Sequence, residues 1–330
     1  MKRIVVFGAT GSIGAYFMDN CLQNLDRGEW EVIAVGRKET DFFTKNNIPY
    51  FRADISKADG LAALPKEDVF AIVNLAGVLP ANQRDEDVIK YASVNIMGGL
   101  RILEYAKSVG ADRVLYTQTW ADLAGYWGKE SLLFPRMSRN LVYTGDHAFY
   151  AISKSMIVDA MEYYHQQYGI KNFVFRLPNI YHYSPIKTYF VNGVEKNVAY
   201  RYMIERARQG LDIEMWGDPE AFKDIVYVKD LCQMMRKALT ANVDGGIYNA
   251  GTGTKTTLHQ QIKGIIDVFS PPDCRSKIIP CPEKGSFTSF VMDISNARTE
   301  LGYEPQYDYI SYLEDYRSEM EQKRFDVLWM

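Results

Sequence analysis

The chain has 330 residues, 47% hydrophobic and 24% charged, with 38 basic against 41 acidic side chains and a formal charge of −3. That length suits one large α/β unit, or a dominant domain with a smaller partner. The charge balance lacks the basic excess that nucleic acids or anionic membrane surfaces require, so neither is an expected partner. The opening run Ile4-Val5-Val6-Phe7 is far too short for a signal peptide or a membrane span. Cys21, Cys232, Cys274 and Cys281 show no CxxC spacing, and His147, His165, His182 and His259 show no metal-ligand spacing. A cytoplasmic chain with reduced thiols and no metal is expected.

Residues 4–7 read as a first strand, and Ile13, Phe17, Cys21 and Leu25 follow at helical spacing. Residues 31–35, 49–53 and 69–74 are further strands, 87–108 a long helix, and 113–119 and 172–177 the fifth and sixth strands. Continuous apolar strands separated by helices predict a parallel sheet covered on both faces. After Pro178 the rhythm changes. Residues 181–197 are aromatic and polar without clear periodicity, 198–208 are helical, and short strands at 212–216, 225–228 and 246–249 alternate with helices. One of these later elements is expected to return to the main sheet.

Between the first strand and helix stands Gly8-Ala9-Thr10-Gly11-Ser12-Ile13-Gly14. Glycines permit a tight turn and close approach to a pyrophosphate, while the amides and positive end of the helix meet its charge. An acidic residue that would bind ribose hydroxyls is replaced after the second strand by Gly36-Arg37-Lys38. Cations at that point, Arg37 with Lys38 beside it, suit a 2′-phosphate, so NADP is favoured over NAD; the alternative is that Arg37 is a solvated loop residue or stacks on adenine. Asp54 and Ile55, then Leu75, Ala76 and Gly77, sit at strand ends where such ligands bind. Asn95 and Pro178 complete the expected cofactor contacts.

Tyr150 and Lys154 lie one helical turn apart on one face. A phenol with an ordinary pKa of about 10 is a poor base, and a neighbouring ammonium favours its ionised form. Tyr150 is then expected to exchange a proton with a substrate hydroxyl, with Thr119 hydrogen-bonding the same oxygen. Thr119 alternatively caps the strand end. His147 is either a second proton carrier or a surface residue.

The Gly8–Gly14 loop, Thr119, the Tyr150/Lys154 pair and Arg176-Leu177-Pro178-Asn179-Ile180-Tyr181 together resemble the extended short-chain dehydrogenase/reductase family, in its nucleotide-sugar epimerase/dehydratase branch. Residues 216–219, 223–231, 248–253, 293–298 and 301–305 are similar to its later signatures. The resemblance implies a Rossmann-type doubly wound parallel sheet (residues 1–178) with a smaller C-terminal α/β substrate lobe (179–330). It also implies a Tyr150 acid/base, a Lys154 that holds the nicotinamide ribose, and a Thr119 substrate clamp. Asn179 would touch a substrate diphosphate, Glu214 to Trp216 would border its base, and Lys223 stands where the family often has a diphosphate-binding arginine.

Departures bear on the reaction. Trp120 and Ala121 occupy the positions where the family's dehydratases carry Asp-Glu, and neither transfers a proton. A nucleotide-sugar 4-epimerase is therefore expected, with an NADPH-dependent ketosugar reductase as the alternative and a non-catalytic dinucleotide sensor as a third. A homodimer is expected, paired through residues 91–103 and 150–164. Lys187, Lys196, Arg201, Arg206 and Arg208 form either a diphosphate pocket or a solvated helix face, and Gly251-Thr252-Gly253 imitates a second phosphate loop.

Overall fold

A computed structural model describes residues 1–330. Seven strands form one parallel sheet: β1 (Lys2–Phe7), β2 (Trp30–Gly36), β3 (Tyr50–Arg52), β4 (Val69–Asn74), β5 (Arg113–Thr119), β6 (Lys171–Leu177) and β7 (Gly245–Asn249). Their spatial order is 3-2-1-4-5-6-7, with every neighbouring pair parallel. Strand order reverses between β1 and β4, and this switch point opens a crevice at the carboxyl ends of the strands. β7 lies beyond residue 179 in the chain yet pairs with β6, so the later half contributes directly to the main sheet.

Side chains alternate across each strand. Ile4, Val6, Ala34, Val73, Leu115 and Phe175 enter one core layer; Val5, Phe7, Ile33, Val35, Ile72 and Val174 enter the other. The first layer is covered by α1 (Ser12–Asn24) and by the Val228–Ala238 helix packed against it. The second is covered by α2 (Gly98–Ser108) and α3 (Ala148–Tyr168). Met97, Met156 and Tyr163, on the helical stretches expected to form a pairing seam, are exposed.

The helix expected over 87–108 is interrupted. Its first turn, Val88–Tyr91, passes into a π-helical stretch at Ala92–Met97 before α2 begins. Wide π-turns are rare and shift the register of side chains around the axis; here Asn95 lies within that stretch and is buried.

Outside the main sheet the strands form small pairs. Ile213–Trp216 runs parallel to Ile278–Cys281, and Thr188–Val191 and Val194–Asn197 make an antiparallel hairpin in a segment without sequence periodicity. Its tip is Asn192-Gly193, both left-handed (φ 49° and 76°) as a two-residue type I′ turn requires. No helix is long and apolar enough to cross a membrane.

Candidate active site

The glycine-rich loop follows β1 directly. Gly8 has φ +80°, and a Cβ there would stand 2.7 Å from the Ala76 amide nitrogen. A Cβ at Gly14 would overlap the Gly8 carbonyl oxygen. Both positions therefore exclude side chains, one for close approach of the loop after β4 and the other for helix-on-strand packing. The Gly8 and Ala9 amides donate to Val35 O, whereas those of Thr10, Ser12, Ile13 and Gly14 have no acceptor in the chain. Free amides at the positive end of a 13-residue helix form an anion cradle. The residues present fit a dinucleotide's pyrophosphate.

Around this cradle the expected contacts fall at strand ends. Thr10 packs against Gly36, where a Cβ would meet its side chain. Asp54 accepts from the Ser56 amide and hydroxyl at 2.9 and 2.7 Å, bonds that, with smaller help from Arg37 and Lys57, hold its carboxyl below the ordinary carboxylate range. Ile55 is buried. Leu75 donates to Phe7 O and Ala76 to Asn74 Oδ1, placing Leu75-Ala76-Gly77 beside the glycine loop.

Asn95 faces inward, 4% exposed, accepting from Val78 N and donating to Val78 O and Ser153 Oγ (2.8, 3.2 and 3.1 Å). It ties the loop after β4 to α3. Lys38, expected beside Arg37 as a second cation, donates to the carbonyls of Val327, Leu328 and Met330 at 3.2–3.3 Å. It caps the C-terminal helical turn, a usual role for lysine. Arg37 is exposed and its guanidinium has no acceptor.

Tyr150 and Lys154 stand on the inner face of α3, 8% and 4% exposed. The Tyr150 ring lies 6.0 Å from that of Tyr91 and edge-on at 6.4 Å to His147. The Lys154 ammonium sits 4.1 Å above the Tyr116 ring, without a carboxylate. The electrostatics differ from the expectation of a lysine-lowered phenol. Burial pushes the Tyr150 phenol above its ordinary value, with Tyr91 adding to the shift. The same burial brings the Lys154 ammonium down to about 7. In the ligand-free chain both groups therefore favour their neutral forms.

This has a stability consequence. Between pH 7 and the ordinary lysine value of 10.5, the unfolded chain binds a proton that the folded chain does not. Lys154 thus makes stability rise with pH across that window. Urea unfolding of the ligand-free protein at pH 7 and pH 9.5 is expected to show a smaller rise in Lys154→Met than in the parent. Equal rises would contradict the assignment.

At the end of β5, Thr119 Oγ1 accepts the Ala121 amide at 3.2 Å and so caps the short helix Trp120–Tyr126. That bond leaves its hydroxyl proton free to donate. Trp120 stacks between Trp127 and Phe290, each 4.3 Å away. Beneath this turn lies an ion pair that the sequence reading missed. Arg176, fully buried, donates to both Asp122 oxygens at 3.0–3.1 Å, and also to Pro135 O and Asn249 Oδ1. Burial pushes the Asp122 carboxyl up, and Arg176 opposes it.

The later residues divide. Pro178 is buried and Asn179 exposed at the end of β6. Lys223 is half-buried with its ammonium 4.0 Å over the Phe287 ring, and desolvation lowers its pKa. Glu214 pairs with Lys284 and accepts from Trp216 Nε1 at 2.7 Å, while Trp216 is 53% exposed. Of the five cations between 187 and 208, Arg201 alone turns inward. It is 8% exposed and donates to Tyr200 Oη, Ile186 O and His182 O. Lys187 and Arg208 pair with Glu205 on the surface. His182, whose pKa burial and Arg201 lower to about 3, is neutral. His147 is half exposed, with Nδ1 2.6 Å from Asp146. Gly251-Thr252-Gly253 does wrap an anion, an internal one: Asp224 accepts from Thr252 N, Thr252 Oγ1, Gly253 N and Met292 N.

Residues 4–251 match the NAD dependent epimerase/dehydratase family. The chain belongs to that family. Among its relatives, the UDP-glucose 4-epimerase of Mycolicibacterium smegmatis is 26% identical over 92% of this chain and 94% of its own length. The fold is similar to that of Thermotoga maritima UDP-glucose 4-epimerase solved with UDP-glucose (TM-score 0.75, 21% identity, 97% and 100% covered). It is also similar to that of Bacillus cereus UDP-glucuronic acid 4-epimerase in complex with NAD (TM-score 0.72, 19% identity, 97% and 100% covered). The chain is thus an enzyme of the extended short-chain dehydrogenase/reductase kind, with a nicotinamide dinucleotide cofactor.

Proposed function

We propose that this enzyme inverts position 4 of a nucleotide-linked hexose. The observation that carries the reading is the turn after β5. Trp120 is packed between two aromatic rings there, Ala121 has no titratable group, and Asp122 is committed to Arg176. No second proton carrier for eliminating water stands beside the strand-end threonine, which leaves the exchange to Tyr150.

When bound, the dinucleotide supplies a hydride acceptor that becomes the donor on return. Tyr150 takes the proton of the sugar hydroxyl as its carbon is oxidised, and gives it back after the ring has turned over. Thr119 donates its free hydroxyl proton to the same oxygen. Lys154 holds the nicotinamide ribose, and in its protonated form favours ionisation of Tyr150. Gly8, Thr10, Gly11, Ser12, Ile13 and Gly14 cradle the pyrophosphate. Asp54, Ile55, Leu75, Ala76, Gly77 and Pro178 line the rest of the cofactor crevice.

Arg201 is a buried and Lys223 a half-buried cation, neither with a carboxylate partner. Buried charge of this kind calls for a counter-ion, and the substrate diphosphate supplies it. Asn179, Glu214 and Trp216 border the nucleotide.

The ketosugar reductase reading is favoured by one observation, the free guanidinium of Arg37, which suits the 2′-phosphate of NADP. Thermal unfolding is expected to show both dinucleotides stabilising the protein, NADP more strongly, with the difference lost in Arg37→Ala. UDP-glucose with added dinucleotide and no reductant is expected to yield its 4-epimer. Stoichiometric NADPH consumption without an epimer would replace the epimerase by the reductase. Stabilisation by neither dinucleotide would overturn both readings.

A further inference from the structure

Alternation along β5 sends Thr117 and Thr119 to one face of the sheet and Tyr116 and Gln118 to the other. Tyr116 enters the core layer beneath α3, together with Ile157 and Met161 of that helix. Tyr116 and Gln118 are buried, and both meet α3 at the turn that carries Lys154. Tyr116 Oη donates to Lys154 O at 3.4 Å, and Gln118 Nε2 donates to Ser155 Oγ at 3.0 Å. The Gln118 carbonyl oxygen accepts the Thr119 amide at 2.8 Å, so one side chain links the strand-end threonine to the helix. On the other flank Ser153 Oγ accepts from Asn95 at 3.1 Å. The backbone of this turn is therefore held from both sides without help from the Lys154 side chain.

The Lys154 ammonium is held differently. It is buried, burial alone shifts its pKa, and neither a carboxylate nor a hydrogen-bond acceptor of the chain opposes that shift. What it meets is the face of the Tyr116 ring, at 4.1 Å. An aromatic face attracts a cation within about 6 Å, and more strongly when the pair is removed from water. A lysine stem is long and rotatable, so a fixed contact at its end decides where the charge stands.

We infer that Tyr116 is a positioning residue of the reaction: its ring keeps the Lys154 ammonium in place for the nicotinamide ribose and for the Tyr150 phenol. The inference rests on the reading of Tyr150 and Lys154 above and adds a residue to it. The ring carries this role, not the hydroxyl, because the hydroxyl reaches a backbone carbonyl in a turn that Gln118 and Asn95 already fasten. Phenylalanine at 116 therefore suffices, and an aliphatic side chain fills the space without holding the charge.

NAD affinity by calorimetry and steady-state turnover of UDP-glucose test this. Tyr116→Phe is expected to stay within about twofold of the parent in both, since the ring is kept. Tyr116→Leu is expected to lose about tenfold in NAD affinity and in turnover, with KM for UDP-glucose unchanged. Tyr116→Met, nearer in volume, takes its place should leucine unfold the chain. In a Lys154→Met background, Tyr116→Leu or Tyr116→Met is expected to add less than about twofold, because the cation it acts through is gone. Parental values in the aliphatic variant, equal impairment of Tyr116→Phe, or a loss that adds in full to that of Lys154→Met would each overturn the role of the ring alone. Parental NAD affinity and turnover in Lys154→Met would instead overturn the reading of Lys154, and this inference with it.

Discussion

Tyr150→Phe is expected to lower turnover by about 10²–10⁴-fold while leaving KM and the melting temperature close to those of the parent. The substitution isolates one atom. The Tyr150 ring packs on Tyr91 and His147, contacts that phenylalanine keeps. Its hydroxyl makes no hydrogen bond within the chain, so removal leaves no partner unsatisfied. A structural role would show as a lower melting temperature; a catalytic one shows in turnover with binding intact. Steady-state kinetics with a nucleotide hexose, beside a thermal melt, separates the two. Parental turnover would remove Tyr150 from the reaction.

Asp122→Asn is expected to have the largest effect on stability, a loss of about 3–5 kcal/mol in urea unfolding. Arg176 has no solvent exposure, and Asp122 takes three of its five hydrogen bonds. The amide keeps one acceptor oxygen but turns the other into a donor facing the guanidinium, whose charge is then buried without a counter-ion beside Pro135 O and Asn249 Oδ1. The network spans β6, β7 and the turn after β5, since Asn249 in turn donates to Leu133 O and Asp293 O. Arg176→Met is expected to cost a similar amount, because Asp122 is then the uncompensated charge. A loss below about 1 kcal/mol in both variants would mean that water or another group replaces the missing partner.

Five of the seven sheet strands are legible as apolar runs in the sequence because they are buried on both faces, and burial is what hydrophobic pattern encodes; the edge strand β3 is only half-buried. β7 is legible as a strand, but its place beside β6 is a pairing across more than 70 residues that no local signal carries. The Thr188–Asn197 hairpin is exposed, so it has no alternation; the Asn192-Gly193 pair was its available signal. The π-helical turn at 92–97 changes which face Asn95 occupies, and ordinary helical spacing does not report it.

The site divides in the same way. Motif spacing brings the glycine loop, Thr119 and the Tyr150/Lys154 pair to one edge of the sheet, since all sit at the ends of parallel strands or on a helix packed there. Spacing does not report burial, and burial is what moves Lys154 to about 7 and turns Arg201 inward while its neighbours pair with Glu205. Long-range partners are likewise invisible: Lys38 meets carbonyls almost 290 residues away, and Arg176 meets Asp122 across 54.

The central claim, transient oxidation of the sugar carbon with the proton carried by Tyr150, is tested most directly with UDP-glucose deuterated at C4. The enzyme and its dinucleotide are incubated with it, and the products are read by NMR. Inversion at C4 with the deuterium retained is the expected result, alongside its loss in Tyr150→Phe. Inversion accompanied by exchange of that deuterium with solvent, or undiminished inversion by Tyr150→Phe, would contradict the claim.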